Sequence, residues 1–384
     1  MVNRTVFCLA VGFGLPALGL AQSVPGNRLY GSIDLAVVTS HTGAPGLGNS
    51  VSVASGVLRS SVFGVAGNEA LDGGLHALFR LEAGFDADTG AGKTYVGNPA
   101  TATPAAPGGI PATGLFNRRS TVGLGGTWGS LTAGRDYTPV YWAALDGDVQ
   151  GLMLYGNLQQ SLALAGTGSE RFGRASNALF YASPVVRGFM LRGMASLGSE
   201  SGGGPSAPPR KANQMLAVSG KYTLEGWLLT TAYQQISLPT VAGSPAAFTG
   251  ATGTRRDVVL GTRYDWGRYG ISAGYLQIRQ PTVANTDGKQ LSLGVSARIG
   301  EGTLAVSALQ MRLNTASGTA QTAQVLGLGY TYPLSRRTTL YTSYGQVNNS
   351  ATAVFPLVSA DTATNPGALG AHVRALALGM QHTF

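Results

Sequence analysis

Hydrophobic and polar residues alternate along short segments of the chain, and residues 76–86, with the sequence HALFRLEAGFD, show the pattern clearly. The odd-numbered positions from Ala77 to Phe85 are apolar, whereas the even-numbered positions include Arg80 and Glu82. Because successive side chains of a β-strand point to opposite faces, the segment is predicted to be a strand with one apolar and one mostly polar face. In a soluble sandwich the apolar face would form the core, whereas in a membrane barrel it would face lipid.

Alternating segments of this kind recur in pairs along the chain, each pair joined by a tight turn. The seven tight turns are rich in Gly, Asp, Ser and Pro, which tolerate hairpin geometry. They lie at residues 71–74, 127–130, 186–188, 224–226, 265–268, 300–302 and 333–337. A strand at residues 28–38 precedes these pairs and another at residues 373–384 follows them. The pattern therefore predicts sixteen strands.

Eight longer connections separate the predicted hairpins, and most are rich in Gly, Ala, Pro, Thr and Ser. They cover residues 39–57, 87–115, 136–175, 197–213, 237–255, 280–289, 313–322 and 346–371. Short turns at one end, long loops at the other and an even number of strands are typical of an outer-membrane barrel. Lipid offers no hydrogen-bond partners, so a spanning sheet must close on itself. We therefore predict an all-β fold, a 16-stranded antiparallel transmembrane β-barrel with short periplasmic turns and long extracellular loops.

The composition supports a membrane protein without spanning helices. Only 11% of the 384 residues are charged, compared with about a quarter in soluble domains, and no segment after the N-terminus offers the roughly 20 apolar residues of a spanning helix. Aromatic residues near the short turns and the C-terminus fit an interface belt, although a soluble β-protein can also place them there. They are Trp128, Tyr264, Trp266, Tyr330, Tyr332 and Phe384. The formal charge of +9 comes from scattered arginines without a basic tract, which argues against nucleic-acid binding.

The first 21 residues resemble a secretory signal peptide. Arg4 forms a short positive region, residues 6–20 are apolar, and small residues precede a cleavage position after Ala21. A membrane anchor is the alternative, but about fifteen apolar residues are short for a spanning helix. Cleavage would remove Cys8, the only cysteine, and leave residues 22–384 as a single barrel domain. Closure of the barrel, rather than disulfides, would then supply the stability.

Several segments in order resemble the general porins of Gram-negative outer membranes, in particular their β-proteobacterial branch. LYGSIDLAV is similar to the first strand of that family, and FGVAGNEALDGGLHALFRLEAGFDADTG to its second hairpin. LFNRRSTVGLGGTWGSLTAGRDYTP resembles the fourth and fifth strands, and NALFYASP the sixth. YPLSRRTTLYTSYG and the terminal GMQHTF are the most characteristic pieces. Each motif is modest alone, but their order and spacing together are specific.

The resemblance implies a homotrimer of barrels, each with a water-filled pore that the third long loop, residues 136–175, enters and narrows. Family position, supplemented by strand alternation, nominates the pore-constriction residues Arg80, Glu82, Arg118, Arg135, Asp146, Asp148, Arg171 and Arg174. Asp34 is also predicted to face the lumen, where it either lines water or serves the hydrogen bonds of the wall. Arg80 either lines the pore or pairs with Glu82. Each arginine could instead be a rim residue that binds loop carbonyls or lipopolysaccharide phosphates.

Four positions depart from the family pattern. Val62 and Ala66, on the second strand, stand where basic residues are usual in the family. Phe180 and Ala182, on the sixth strand, stand where an arginine and an aspartate are common. The arginine wall is therefore expected to be thinner than in relatives, and the expected preference for anions is weak to moderate.

The resemblance implies passive diffusion of small hydrophilic solutes and anions through the bacterial outer membrane, without a cofactor, a metal or enzyme activity. The expected partners are these solutes, outer-membrane lipid, lipopolysaccharide and further copies of the chain. An outer-membrane enzyme would need a nucleophile or activated water beside a histidine, and the four histidines show no such pattern. A surface adhesin or receptor with an occluded lumen is the other alternative, which single-channel conductance would distinguish.

Overall fold

The computed structural model describes residues 26–93, 114–151, 153–164, 170–198, 214–238, 253–280, 285–315 and 317–384. The predicted signal peptide, residues 1–21, lies outside them. Within the described residues, 18 strands form one antiparallel sheet, of which Ser50–Ser55 and Ala91–Gly92 are short additions paired with the first and third barrel strands. The remaining sixteen are β1 (Gly26–His41), β2 (Val62–Ala70), β3 (His76–Asp86), β4 (Arg119–Gly126), β5 (Gly129–Tyr137), β6 (Arg174–Ala182), β7 (Phe189–Ser196), β8 (Met215–Leu224), β9 (Trp227–Leu238), β10 (Gly253–Trp266), β11 (Tyr269–Arg279), β12 (Asn285–Ile299), β13 (Gly302–Thr315), β14 (Ala320–Pro333), β15 (Thr338–Asn349) and β16 (Val373–Thr383).

The first strand closes the barrel by pairing with both of its neighbours. Its first part, from Gly26 to Ser32, pairs with β2, and its second part, from Ser32 to His41, pairs with β16. The terminal Phe384 continues this pairing, because its backbone N–H and C=O both bond to Gly31 at 3.1 Å. Each barrel strand thus has a partner on both sides, which leaves no open edge in lipid. The structure confirms the predicted sixteen-stranded barrel.

The seven predicted tight turns all connect consecutive strands at the same end of the barrel, which we call the short-turn end. In the connection from β8 to β9 only Glu225 and Gly226 lie between the strands, and both have positive φ. Gly226 has φ +87°, and a Cβ there would lie 2.5 Å from the carbonyl oxygen of Asp265. A side chain at this position would meet the neighbouring hairpin, so the turn requires glycine.

Exposed and buried side chains alternate along barrel strands such as β8, β13 and β16. On β16, Leu376 and Leu378 are 52% and 68% exposed, whereas Ala375 and Ala377 are buried. Residues of the first kind point outward and form an apolar band, as lipid requires. At the short-turn end, Trp227, Tyr264 and Trp266 stack in a row with ring centroids 4.5 and 5.5 Å apart. This row is consistent with the predicted interface belt of aromatic residues.

The third loop lies inside the barrel between β5 and β6. It contains helix α1 (Pro139–Gly147), a 3₁₀ turn (Leu158–Leu164) and helix α2 (Glu170–Gly173). Thr138 caps α1 by accepting a hydrogen bond from the backbone N–H of Tyr141 at 3.1 Å, and Pro139 occupies the first helical position. Among the described residues, no helix has both the length and the apolar character needed to cross a membrane.

Small residues on the inner wall allow the third loop to approach the strands closely. A Cβ on Gly261 of β10 would lie 3.0 Å from the Cα of Gly147, and one on Gly327 of β14 would lie 2.9 Å from the Cα of Gly156. Ser343 of β15 accepts a hydrogen bond from the backbone N–H of Tyr155 at 3.1 Å. The loop therefore follows the inner surface of the strands from β10 to β15, where it replaces solvent as the partner of the wall.

Apolar side chains from three loops fill the space between the third loop and this part of the wall. Val57 of the first loop, Tyr155 of the third and Leu357 of the last are almost fully buried in one cluster with wall residues such as Met311 and Val259. Backbone bonds connect the same loops, from the N–H of Leu154 to Val57 and from the N–H of Ala360 to Val57. This side of the barrel interior, along β10 to β15, is thus packed as a hydrophobic core, and we call it the packed half.

Candidate functional site

A cluster of arginines lies on the inner face of the opposite half of the barrel, around the ring of Tyr137. The guanidinium carbons of Arg118, Arg119 and Arg174 are 5.8, 5.7 and 4.6 Å from the centroid of that ring. Arg174 also donates to the Tyr137 hydroxyl at 3.0 Å, and Arg118 donates to the same oxygen. Tyr137 stacks in turn on Tyr141 of helix α1, with centroids 4.4 Å apart. The aromatic pair therefore holds three cations together at the root of the third loop.

Glu82 of β3 neutralises part of this cluster. Its carboxylate accepts hydrogen bonds from Arg118 Nε at 2.8 Å and from the Tyr30 hydroxyl at 2.9 Å. Tyr30 reaches it across Gly64, where a Cβ would lie 2.6 Å from the tyrosine ring. Glu82 and Arg118 are 8% and 7% exposed, so the pair is largely shielded from water. The predicted pairing of Glu82 with Arg80 does not form.

Arg119 and Arg80 complete the positive surface of this wall. Arg119 Nη2 lies 2.6 Å from Asp136 Oδ2 of β5. Arg80 is half-buried, and no carboxylate among the described residues forms an ion pair with it. Counted over the described side chains, four arginines, Arg118 and Arg174 included, lie around two carboxylates, so this part of the wall is more positive than negative.

The first loop adds a further arginine beside this wall. The backbone N–H of Arg59 donates to Asp34 Oδ2, and the Tyr341 hydroxyl donates to Asp34 Oδ1. Burial lowers the pKa of the Arg59 guanidinium, while the nearby Asp34 and Tyr141 oppose that change. Asp34 is fully buried. Its role is therefore to tie β1, the first loop and β15 together, the second of the two roles that its sequence position allowed.

Asp146 of helix α1 forms ion pairs with the barrel wall. Asp146 lies 2.9 Å from Lys221 Nζ of β8 and 3.4 Å from Arg192 Nη1 of β7. The guanidinium of Arg192 also lies 5.4 Å from the ring of Trp142, on the same helix. These contacts fix the helix that separates the arginine wall from the packed half of the barrel.

The predicted site residues fall into distinct groups in the structure. Arg80, Glu82, Arg118 and Arg174 meet in one cluster, and Asp146 lies on the adjacent helix. Asp148 is 5% exposed, and its carboxylate accepts from the backbone N–H groups of Gln150 and Leu158, each at 2.9 Å. It therefore stabilises the turn of the third loop instead of lining water. The backbone of Arg171 belongs to helix α2, and its side chain lies outside the described residues.

Arg135 does not join the cluster. It continues the outward-facing series Leu131 and Ala133, whereas Asp136 beside it faces inward. Its guanidinium donates to the carbonyl of Asn117 at 2.7 Å and to the Ser176 hydroxyl at 2.8 Å. The predicted placement in the pore is corrected, because strand alternation puts the residue on the other face of β5.

Several residues of the site were not predicted from the sequence. Arg119 could have been found from its own strand, because Val122 and Leu124 are the outward apolar positions and odd-numbered residues must then face inward. Lys221 and Arg192 carried no signal, since their partner Asp146 belongs to a loop distant in sequence.

Comparison with known proteins gives one consistent family. The sequence model of a family described as Gram-negative porin matches residues 6–352. Outer membrane porin protein 32 of Delftia acidovorans is 26% identical over 391 residues, covering 100% of both chains. An outer membrane porin protein of Bordetella pertussis is 26% identical over 326 residues, covering 76% of this chain and 77% of that relative.

Solved structures share the fold. The anion-selective porin from Comamonas acidovorans superposes with a TM-score of 0.76 at 22% identity, covering 94% of this chain and 100% of the other. OmpF of Salmonella typhi, in a complex with daunomycin, superposes with a TM-score of 0.64 at 17% identity, covering 94% of this chain and 98% of the other.

Proposed function

Because the chain belongs to the Gram-negative porin family and forms a channel in the bacterial outer membrane, we propose that its pore passes small hydrophilic solutes and anions by passive diffusion, with a weak to moderate preference for anions. Transport follows the concentration gradient. The proposal includes no catalytic role and no cofactor, and the mature chain would begin after Ala21.

The arginine wall is the observation that supports an anion preference. The selectivity of a pore follows the charges that line it and its width. Among the described residues, Arg80, Arg118, Arg119 and Arg174 lie around the carboxylates of Glu82 and Asp136. Those two acids are paired with arginines, whereas Arg80 forms no ion pair with a described carboxylate. Arg80 therefore keeps a positive charge that no described carboxylate pairs with, which makes it a side chain well suited to attract an anion in transit.

We propose that the barrel assembles as a homotrimer through the outer faces of β1, β2 and β4. Exposed apolar side chains extend on these faces towards the long-loop end, where Val37, Phe63 and Val122 are 53%, 41% and 64% exposed. Such a surface suits a neighbouring barrel as well as lipid. Chemical cross-linking of the purified protein should give trimers, and a monomer alone would contradict this assembly.

Planar bilayers test the channel directly. Single-channel recording of the full-length barrel should show discrete conductance steps, and a salt gradient should give a reversal potential of the sign for anions. A barrel that passes almost no current would favour the occluded adhesin or receptor, and a reversal potential of cation sign would overturn the proposed selectivity.

The contribution of the free arginine is tested by Arg80→Gln. At about 4 Å in water one unit charge is worth about 1 kcal/mol to a passing ion, so the ratio of anion to cation permeability should fall by up to about fivefold. Arg336→Gln is the matched control, because Arg336 is exposed in the short turn between β14 and β15. An equal effect of both substitutions would show that Arg80 has no special role.

A further inference from the structure

Two arginines of the inner wall lie on either side of one small residue, Ala66. Arg28 of β1 lies in register opposite Ala66 of β2, and Ala66 lies in register opposite Arg80 of β3. These positions face the lumen, because Tyr30 and Glu82, two residues further along β1 and β3, meet across β2 inside the barrel. Neighbouring strands are about 4.8 Å apart, so the Cα atoms of the two arginines are about 10 Å apart, and the side chain between them is a single methyl group.

Neither Arg28 nor Arg80 forms an ion pair with a carboxylate of the described residues. Their nearest acid along the wall, Glu82, already accepts hydrogen bonds from Arg118 Nε at 2.8 Å and from the Tyr30 hydroxyl at 2.9 Å. The guanidinium carbon of Arg28 lies 5.9 Å from the centroid of the Tyr30 ring, a contact that leaves the positive charge in place. Two positive charges therefore remain available to an ion in the lumen.

The wall between these arginines and the short-turn end carries no acidic side chain on its inner face. From Arg80 to the turns, the inward positions of β1 to β5 all belong to the part of the chain that the structure describes, and none of them is Asp or Glu. Glu69 alternates to the outer face of β2, and Asp72 lies in the turn between β2 and β3. An anion beside Arg28 and Arg80 would therefore meet no carboxylate on this side of the lumen below Glu82.

Asn68 adds an amide group to the same surface. It lies two residues after Ala66 on the inward face of β2, between Gly26 of β1 and Leu78 of β3. Its Oδ1 is buried without a hydrogen-bond partner in the described part of the chain, and its Nδ2 donates to no described residue. An oxyanion beside Ala66 could accept from the amide N–H groups as well as from the guanidinium groups. Three neighbouring side chains thus carry donors that the described protein does not use.

We propose that Arg28, Arg80 and Asn68 bind a doubly charged tetrahedral oxyanion, such as phosphate or sulfate, beside Ala66. The site rests on the channel function proposed above, and it names the class of anion that the pore holds in transit. A guanidinium group binds the oxygens of such an anion in a bidentate geometry, and two guanidinium groups on opposite sides match its two charges. A singly charged ion needs only one of them. Water reaches the exposed Arg28 from the lumen, so the bound anion can leave again, as conduction requires.

Block of the chloride current by inorganic phosphate tests the site in planar bilayers that contain the full-length barrel. At about pH 8 phosphate carries close to two negative charges, and it should reduce the chloride current at concentrations where nitrate has little effect. Arg28→Gln and Arg80→Gln should each raise the half-blocking concentration of phosphate by at least about fivefold, which corresponds to one unit charge at about 4 Å in water. Arg336→Gln removes the same charge from an exposed short turn and should leave the half-blocking concentration unchanged.

Ala66→Leu separates a binding site from attraction at long range, because it keeps both arginines and fills the space between them. It should also raise the half-blocking concentration severalfold. The inference is overturned if phosphate blocks no better than nitrate, if Arg28→Gln or Ala66→Leu leaves the block unchanged, or if Arg336→Gln weakens it as much as Arg28→Gln. In the unmodified protein, a reversal potential of anion sign without block by phosphate contradicts this site alone, whereas a reversal potential of cation sign contradicts the proposed selectivity of the channel.

Discussion

The two halves of the barrel share one strand pattern but use their inner faces differently. On β3 and β4 the inward positions carry charged side chains, Glu82 and Arg119, that form an ion-paired wall. On β12 and β14 the inward positions include Gly294 and Gly327, which lie against Val149 and Gly156 of the third loop. Glycines on the inner face thus allow the third loop to lie directly on the wall, whereas on β3 and β4 charged side chains occupy the inward positions and pair with one another.

The largest effect is expected from filling the space between wall and loop with Gly327→Val. A Cβ at Gly327 would lie 2.2 Å from the Tyr155 carbonyl oxygen and 2.9 Å from the Cα of Gly156, both of them backbone atoms. Overpacking of this kind costs about 1–3 kcal/mol or displaces the loop. Thermal unfolding followed by circular dichroism should show the loss of stability.

Gly193→Val is the control for this substitution. Gly193 lies on β7, and a Cβ there has no atom within 4 Å. The change should therefore alter stability by less than about 0.5 kcal/mol. If both valines were equally tolerated, the third loop would not depend on close contact with the glycines of the wall.

Glu82→Gln tests the contribution of the charged half to selectivity, because it removes one of the two carboxylates but keeps a side chain of the same shape. Arg118 would lose its ion pair, so the positive excess of the wall would rise by one charge. The ratio of anion to cation permeability should increase by up to about fivefold. Reversal potentials measure it, with Glu301→Gln in an exposed short turn as the control; a shift towards cations would contradict the assignment of Glu82 to the pore wall.

The number of strands and the outward or inward direction of their side chains could be predicted, because lipid requires apolar side chains at alternate positions of a spanning strand. Val122 and Leu124 mark the outward face of β4 as clearly as Leu376 and Leu378 mark that of β16. Each such pattern is local, so the sequence of one strand suffices to read it. The barrel followed from adding these local patterns and the requirement for closure.

A site residue could be predicted only where the alternation along its strand and its position in the family pattern indicated the same face. Glu82 satisfied both, whereas for Arg135 family position and alternation were taken to agree, although the exposed Leu131 places the odd-numbered residues of β5 on the outward face. The path of the third loop could not be read, because it depends on contacts such as that between Gly156 and Gly327. Those contacts join residues far apart in sequence, and no local pattern records them.

A smaller effect is expected from Asp146→Asn, which tests the boundary between the two halves. The substitution removes the charge that holds Lys221 and Arg192 to helix α1. Partly buried pairs of this kind contribute about 1 kcal/mol, so the helix should move more freely without unfolding of the barrel. Open-channel current noise should increase, while Asp72→Asn, in the short turn between β2 and β3, should leave it unchanged. Unchanged open-channel current noise in the Asp146 variant would mean that other contacts suffice to hold the helix.

The smallest effect is expected from Arg135→Gln, and it separates the two faces of a single strand. Arg135 donates to Asn117 and Ser176 on the outward side of β5, whereas its neighbour Asp136 pairs with Arg119 on the inward side. Loss of the Arg135 charge should therefore change the reversal potential much less than Arg118→Gln, which removes a charge from the wall itself. Both substitutions remove one positive charge from the long-loop end of the β4–β5 hairpin. They therefore differ mainly in the face of the barrel wall on which the lost charge lies. Equal shifts from both would mean that Arg135 also acts on ions in the pore, and that alternation along β5 does not decide which arginines set selectivity.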